Sequence, residues 1–357
     1  MKVYIKFLIN IYNTAFFKVF FIFFVVILIT NILEQIEFFR NINLNFFYLI
    51  FLSLLNTPSI LFEILPFIFL IATQIFFISL IDKKELQIFK YSGLNNLIII
   101  KIISLYTFIL SLVFVIFFYN TSAILKNSYL LIKNKYSEDK RYLAVITENG
   151  LWIKDEIKNN IYIINANKFN YEFLLDVSIT VLNRNFEVKK IIESKKIDIT
   201  SFKWKIFKPL ILSNNKKVNL DEMTLESNYD LKKINSLFSN LSSLTIFKLF
   251  ELRDSYKTLD YSLIDIDSHL YRVISYPLYL TLISIFSSII MFSIGYQKNS
   301  LFKIILGVFL SVIIYYITYF INILGTNEKI PLLLSILMPL ILLTMINFIS
   351  IIKINEK

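Results

Sequence analysis

The stretch LIDKKELQIFKYSGL, Leu80 to Leu94, is short, charged and amphipathic, and it stands between two long apolar runs. Asp82 has the side chain of a helix N-cap. Glu85 follows three residues on, where a carboxylate reaches back to the Asp82 N–H, so the two have the pattern of a capping box. Gly93 tolerates the left-handed conformation that ends many helices. About ten residues, or about 15 Å of helix, fit between these signals. Leu86, Ile88, Phe89 and Tyr91 give the segment an apolar side, and Lys83, Lys84, Glu85 and Lys90 give it charge. Periodicity leaves two readings open. The helix rests in the headgroup layer, or it docks into a groove of a soluble partner.

The flanking runs decide the class. A membrane span needs about 20 apolar residues, and Pro58–Ile81 before the stretch and Leu97–Tyr119 after it both qualify. Thr14–Leu33 precedes them; it follows a basic head without a small-residue cleavage site and so reads as an uncleaved span. Val273–Tyr296, Leu301–Leu324 and Pro331–Ile352 close the chain. Of the 357 residues 56% are hydrophobic, far more than in a soluble globular protein. The expected fold class is an α+β membrane protein, with six transmembrane helices (3+3) flanking a β-sandwich or jelly roll. Residues 1–119 carry the first three helices with the short helix at 82–93, residues 120–268 form the β domain, and residues 269–357 carry the last three helices.

Orientation follows from the positive-inside rule. Lys2, Lys6, Lys83, Lys84, Lys90, Lys298, Lys303, Lys353 and Lys357 fall on one side of the spans, whereas the other side has only Arg40 and Lys329, diluted by Glu34, Glu37 and Glu328. Both termini and the Leu80–Leu94 segment are expected in the cytoplasm, and the middle domain on the far side. That domain reads as β from NIYIINA, DVSITVLNRNFEVKKII and KWKIFKPLIL, runs rich in Ile, Val, Phe and Tyr. Asn183–Arg184–Asn185 looks like a hairpin break, Gly150 like a turn before a strand, and Ser236–Lys257 like a helix leading back to the membrane.

Several functions are disfavoured. There are no cysteines, so there is no disulfide, thiolate metal site or Cys nucleophile. The five glycines are too scattered for a phosphate-binding loop, so any ATP chemistry belongs to another chain. His269 is the lone histidine, at a span edge, and reads as structural. Glu63 is the one carboxylate inside an apolar run, either snorkelling to the interface or lining a cavity. The net charge of +11 accompanies an abundance of Lys, Asn, Ile and Phe, a pattern of codon drift more than of a nucleic-acid surface. No cofactor is expected.

These features together resemble the LptF/LptG permease family, the membrane half of the ABC transporter that extracts lipopolysaccharide from the bacterial inner membrane. The order of spans and β domain is similar. TPSILFEILPF (Thr57–Phe67), KKELQIFKYSGL (Lys83–Leu94), GLWIKD (Gly150–Asp155) and IPLLLSILMP (Ile330–Pro339) resemble family segments, as do Arg272 and Pro277 at the start of the fourth span. GLWIKD is closer to the LptG manner than to the LptF.

The resemblance implies a permease subunit that is not itself an enzyme. Leu80–Leu94 would be the coupling helix, entering a groove on an LptB-like ATPase dimer through Glu85, Leu86, Phe89, Lys90 and Gly93. An LptF-like permease would complete a lipid cavity, and an LptC-like bridge protein would receive lipopolysaccharide from the periplasmic β domain. Lipid phosphates would meet Arg40, Lys126, Lys133 and Arg272. Family members often carry lysines at the outer end of span one, but here that stretch is ILEQIEFFRN (Ile32–Asn41), with Arg40 alone basic. The alternatives are an LptF-like subunit of the same complex, or a non-ABC membrane transporter or enzyme.

Overall fold

The computed structural model describes residues 3–40, 42, 44–136, 151–157, 160–170, 172–213, 216–231, 234, 240–258, 261–293 and 300–355. Gly150, Lys2, Lys298 and Lys357 lie outside them. The described chain forms two compact units, residues 1–126 with 264–357, and residues 127–263.

The first unit is a helical bundle. It contains α1 (Val3–Phe38), α2 (Phe46–Glu63), α3 (Leu65–Asp82), α4 (Glu85–Tyr91), α5 (Asn96–Val113), the start of α6 (Asn120–Tyr136), α8 (Ile264–Ser293), α9 (Ser300–Thr326) and α10 (Leu332–Asn355). Helix α1 buries Leu8, Tyr12, Phe16, Val19, Ile27, Asn31 and Gln35, a stripe at three- and four-residue spacing along one side. The opposite side exposes Phe17, Phe21, Val25, Ile29 and Ile36, which suits contact with lipid.

Seven helices of the described chain are long and apolar enough to cross a membrane, one more than the six runs read from the sequence. The difference lies at Pro58–Ile81. This run is not one helix; it covers the end of α2 and most of α3, which meet at Ile64. Ile64 has φ −96° and ψ 4°, a conformation that bends a helix without reversing it. Thus α2 and α3 follow one another as one interrupted rod, and the seven helices make six rods. Pro66 explains the break. It has no N–H for the carbonyl of Phe62, four residues back, and its ring crowds that carbonyl. Tyr276 on α8 donates its hydroxyl to the Phe62 carbonyl instead, at 2.6 Å.

A second irregularity joins α5 to α6. Phe114–Tyr119 is a π-helical segment. The polar side chains just after it return hydrogen bonds to its carbonyls: Asn120 to Ile116 at 2.6 Å, Thr121 to Phe117 at 3.1 Å and Ser122 to Tyr119 at 2.8 Å. Large aromatics fill the space between helices. The Phe16 ring stands edge-on to Phe69 at 5.1 Å and to Phe114 at 5.5 Å, and Tyr12 to Phe76 at 5.8 Å, the favoured geometry for such pairs.

Where water is absent, polar side chains between helices must be satisfied by the neighbouring helix. Asn56 donates to Asn31 at 3.0 Å and Asn31 to Thr57 at 3.1 Å, tying α1 to α2. Helix α8 is the hub. Ser287 donates to the Leu70 carbonyl of α3 at 2.9 Å, Ser111 of α5 to the Pro277 carbonyl at 3.2 Å, and Asn347 of α10 to the Leu282 carbonyl at 3.0 Å. Gln74 of α3 donates to the Lys303 carbonyl of α9 at 3.0 Å, lying over Gly307.

The second unit is the β domain, followed by a helix α7 (Ile246–Thr258). Its strands are β1 (Leu151–Ile157), β2 (Asn160–Asn170), β3 (Phe173–Leu182), β4 (Val188–Asp198), β5 (Lys203–Phe207), β6 (Leu210–Ser213), β7 (Lys216–Asn219) and β8 (Glu222–Glu226). All pairs are antiparallel, in the order β1-β2-β3-β4-β5-β8, with β6 beside β4 and β7 beside β6. The antiparallel β domain is thus present, and its pairing runs through one continuous sheet in the described residues. The hairpin break stands at Asn183, whose side-chain oxygen accepts from the N–H groups of Asn185 and Glu187, both at 2.9 Å. In β3 the buried residues change phase between Leu174 and Val177, around Asp176 with φ 51°. The core holds Trp204, fully buried, whose indole N–H donates to the Tyr229 carbonyl at 2.7 Å. Buried Asp155 of β1 accepts from Ser227 at 2.8 Å and from the Asn228 N–H at 3.0 Å, anchoring the chain that follows β8.

Two glycines separate soft from hard contacts in the bundle. A methyl group at Gly307 meets the end of the Gln74 side chain, which can move aside; one at Gly325 meets the hydroxyl and Cβ of Ser335, fixed to the backbone of α10. Losing the Gln74 bond costs about 1 kcal/mol, and Ala gains about 1 kcal/mol over Gly within a helix. Overpacking costs about 1–3 kcal/mol. In thermal unfolding of the detergent-solubilised protein, Gly307→Ala is expected to melt near the wild type and Gly325→Ala clearly below it. The opposite order would contradict this packing.

Candidate functional site

The short helix after α3 differs from its sequence reading in where it starts. Helix α3 continues through Asp82, whose backbone is therefore helical and not extended as an N-cap requires. The capping box of Asp82 and Glu85 does not form. Lys83 and Lys84 make the turn, Lys84 with φ 58° and no capping side-chain bond, and Glu85 opens α4. An acid in the first turn complements the helix dipole. The helix runs Glu85–Tyr91, shorter than the expected 82–93. Its end matches expectation. Gly93 has φ 84°, the Leu94 N–H donates to the Phe89 carbonyl at 2.9 Å, and the Gly93 N–H to the Lys90 carbonyl at 3.1 Å. That is the Schellman arrangement.

Helical geometry and packing against the bundle set which way each residue of α4 faces. Two residues along a helix is about 200° around it, so Leu86 and Ile88 cannot share a side. Leu86 is turned inward with 1% of its surface exposed, whereas Ile88 is 60% and Tyr91 91% exposed. Phe89 is half-buried, edge-on to Phe7 of α1 at 6.0 Å. Glu85 is half-buried too, and its Oε2 is sealed from solvent with no hydrogen-bond partner among the described residues. Lys90 and Gly93 are exposed. The five residues singled out in the sequence therefore divide into an inward group, Glu85, Leu86 and Phe89, and an outward pair, Lys90 and Gly93. The outward apolar pair is Ile88 and Tyr91, one turn apart, with Lys83, Lys84 and Lys90 around it.

A second polar cluster lies where α2 ends. Glu63 is the last residue of α2, with its side chain 61% exposed, and its Oε1 stands 3.9 Å from Nζ of Lys126, itself only 14% exposed. Arg272, exposed on α8, donates from Nε to the Ser268 carbonyl at 3.4 Å and interacts electrostatically with Glu63. One turn earlier on α8, Nε2 of His269 is hydrogen-bonded to the Tyr119 hydroxyl at 2.9 Å. The Phe62 ring packs between Tyr119 at 5.0 Å and Tyr276 at 4.8 Å. Of the four basic residues singled out in the sequence, two come together here, Lys126 and Arg272. Arg40 is exposed in the turn after α1, and no side-chain bond joins it to this cluster among the described residues. Lys133 belongs to the other unit, where its ammonium donates to the Tyr129 hydroxyl at 2.9 Å. The sequence carried no signal for the pairing of Glu63 with Lys126, because their contact depends on how two distant helices pack.

No curated protein matches the chain. The family model of the lipopolysaccharide export system permease LptF/LptG matches residues 6–353. That match runs from the first turns of α1 to the last turn of α10 and takes in both units. The chain therefore belongs to the LptF/LptG family, the multi-pass permease subunits of the inner membrane that serve lipopolysaccharide export.

Proposed function

We propose that the chain is the LptG-like half of an ATP-driven lipopolysaccharide extractor. It pairs with an LptF-like permease, is driven by an LptB-like ATPase dimer, and hands lipid to an LptC-like bridge protein through its β domain. The chain itself holds no ATP chemistry in this reading. The observation that carries it is α4, a short helix between two spans with an exposed apolar pair, Ile88 and Tyr91, ringed by lysines. Such a helix fits a groove, with the apolar residues as anchors and the charges for register. Its inward side explains how a push would travel. Leu86 and Phe89 fix α4 to the bundle, and α3 runs on to the Gln74 bond with α9 and the Ser287 bond with α8. Headgroup phosphates would be met by Lys126 and Arg272, with Arg40 and Lys133 contributing along the route. The excess of lysines beside α4 supports a cytoplasmic α4 and termini, and a periplasmic β domain.

Anchors at an interface and anchors in the fold separate by mutation. Tyr91→Ala and Ile88→Ala together should lower the affinity for the ATPase subunit by about thirtyfold or more, since two interfacial anchors of about 1–2 kcal/mol each sum to about 2–4 kcal/mol, while the melting temperature stays put. Leu86→Ala should instead lower the melting temperature, because truncating a buried Leu costs about 2–5 kcal/mol. Full ATPase binding in the Ile88/Tyr91 double variant would remove the docking reading.

The absence of native cysteines makes the orientation directly testable. In cells with a permeabilised outer membrane, a membrane-impermeant maleimide should label Phe186→Cys, in the exposed hairpin of the β domain, and should label Val3→Cys, exposed at the start of α1, only after lysis. The reverse pattern would invert the topology.

A further inference from the structure

We propose that Glu63 is a specificity residue: a built-in counter-ion that competes with lipid phosphate for Lys126 and so rejects phospholipids of single charge. The inference rests on reading Lys126 and Arg272 as the headgroup site.

The geometry has three parts. Lys126 is largely covered, and a covered cation beside lipid needs an anion. Its own chain supplies one in Glu63, 3.9 Å away. That separation is longer than a charge-assisted hydrogen bond of about 2.7–2.9 Å, and Glu63 is mostly exposed, so the pairing can be exchanged for another anion. Third, Glu63 is not free to leave. The carbonyl of its neighbour Phe62 is held by Tyr276, and the Phe62 ring is packed between Tyr119 and Tyr276. The backbone that carries Glu63 is therefore held beside Lys126, and its carboxylate stays within reach of the ammonium as a competitor.

Charge decides which lipid wins. Glu63, Lys126 and Arg272 together carry one net positive charge. A phosphodiester, as in the bulk phospholipids of a bilayer, brings one negative charge and gains little over the carboxylate it replaces. A phosphate monoester carries about −1.5 to −2 at neutral pH and can displace the carboxylate and still engage Arg272, by a bidentate bond of the kind guanidinium favours. Without Glu63 the two cations would accept any anionic lipid, and the membrane is full of them. Specificity here comes from a repulsive element as much as from an attractive one.

The test uses the full-length chain in detergent micelles with fluorescently labelled lipopolysaccharide, displaced by phosphatidylglycerol, a monoanionic diester, in mixed micelles. Glu63→Gln should make phosphatidylglycerol about fivefold more effective as a competitor, the factor corresponding to loss of one partly exposed ion pair, and Glu63→Asp should restore the wild-type selectivity. Lipopolysaccharide stripped of its phosphates should bind Glu63→Gln no better than wild type. Unchanged phosphatidylglycerol competition in Glu63→Gln, or weaker lipopolysaccharide binding with a lowered melting temperature, would overturn the inference and leave Glu63 as a helix tether. The Lys126→Gln, Arg272→Gln double variant separates the layers. If it binds lipopolysaccharide as the wild type does, the headgroup reading itself fails; if it binds at least tenfold more weakly while Glu63→Gln keeps its selectivity, only the counter-ion role fails.

Discussion

Pro66 leaves the Phe62 carbonyl without its helical donor, and the Tyr276 hydroxyl takes the donor's place across the bundle. In water such a carbonyl would be hydrated. In lipid, an unsatisfied backbone group costs several kcal/mol, so a break in this rod is tolerated only where another helix closes it. The consequences reach both ends of the rod. Above the break, the end of α2 holds Glu63 beside Lys126. Below it, α3 runs without interruption to Asp82 and delivers the turn that starts α4.

The same rule recurs at several places where the helices depart from regularity or carry polar groups. Asn120, Thr121 and Ser122 answer the carbonyls of the π-helical segment. Asn31, Asn56 and Thr57 answer one another. Helix α8 bonds to α3, α5 and α10 through single side chains and to the α2–α3 break through Tyr276. Apolar packing between helices gains little over packing against lipid, so these few polar links and the close approaches at Gly307 and Gly325 have a large share in deciding which helix neighbours which. In the proposed reading this would matter mechanically, because a displacement of α4 would pass along α3 to α8 and α9 through discrete bonds.

Much of this was legible in the sequence, for definite reasons. Apolar runs long enough to span a bilayer announced the bundle, runs rich in Ile and Val announced the sheet, and the hairpin at Asn183 and the terminator at Gly93 follow from the conformations those residues favour. What was not legible depended on phase or on distance. Asp82 has cap chemistry, but tertiary packing carries α3 through it, and which side of α4 meets the bundle, Leu86 inward with Ile88 and Tyr91 outside, is set by that packing as well. The run at Pro58–Ile81 hid a break because, Glu63 apart, the residues around Ile64 are apolar enough for a span, and the signal against a straight helix is the geometry of Pro66. Glu63 with Lys126, and Tyr119 with His269, are separated by 63 and 150 residues, and no local pattern anticipates either.

Replacement by Tyr276 of the donor that Pro66 removes is tested directly by a double-mutant cycle at these two positions. Pro66→Ala restores an N–H that can bond the Phe62 carbonyl within the helix. Thermal unfolding of the wild type, Tyr276→Phe, Pro66→Ala and the double variant would be compared in one detergent. The account predicts that Tyr276→Phe lowers stability by about 1–3 kcal/mol in the Pro66 background and by clearly less once residue 66 is Ala. Equal losses in the two backgrounds, with no coupling between the sites, would contradict it.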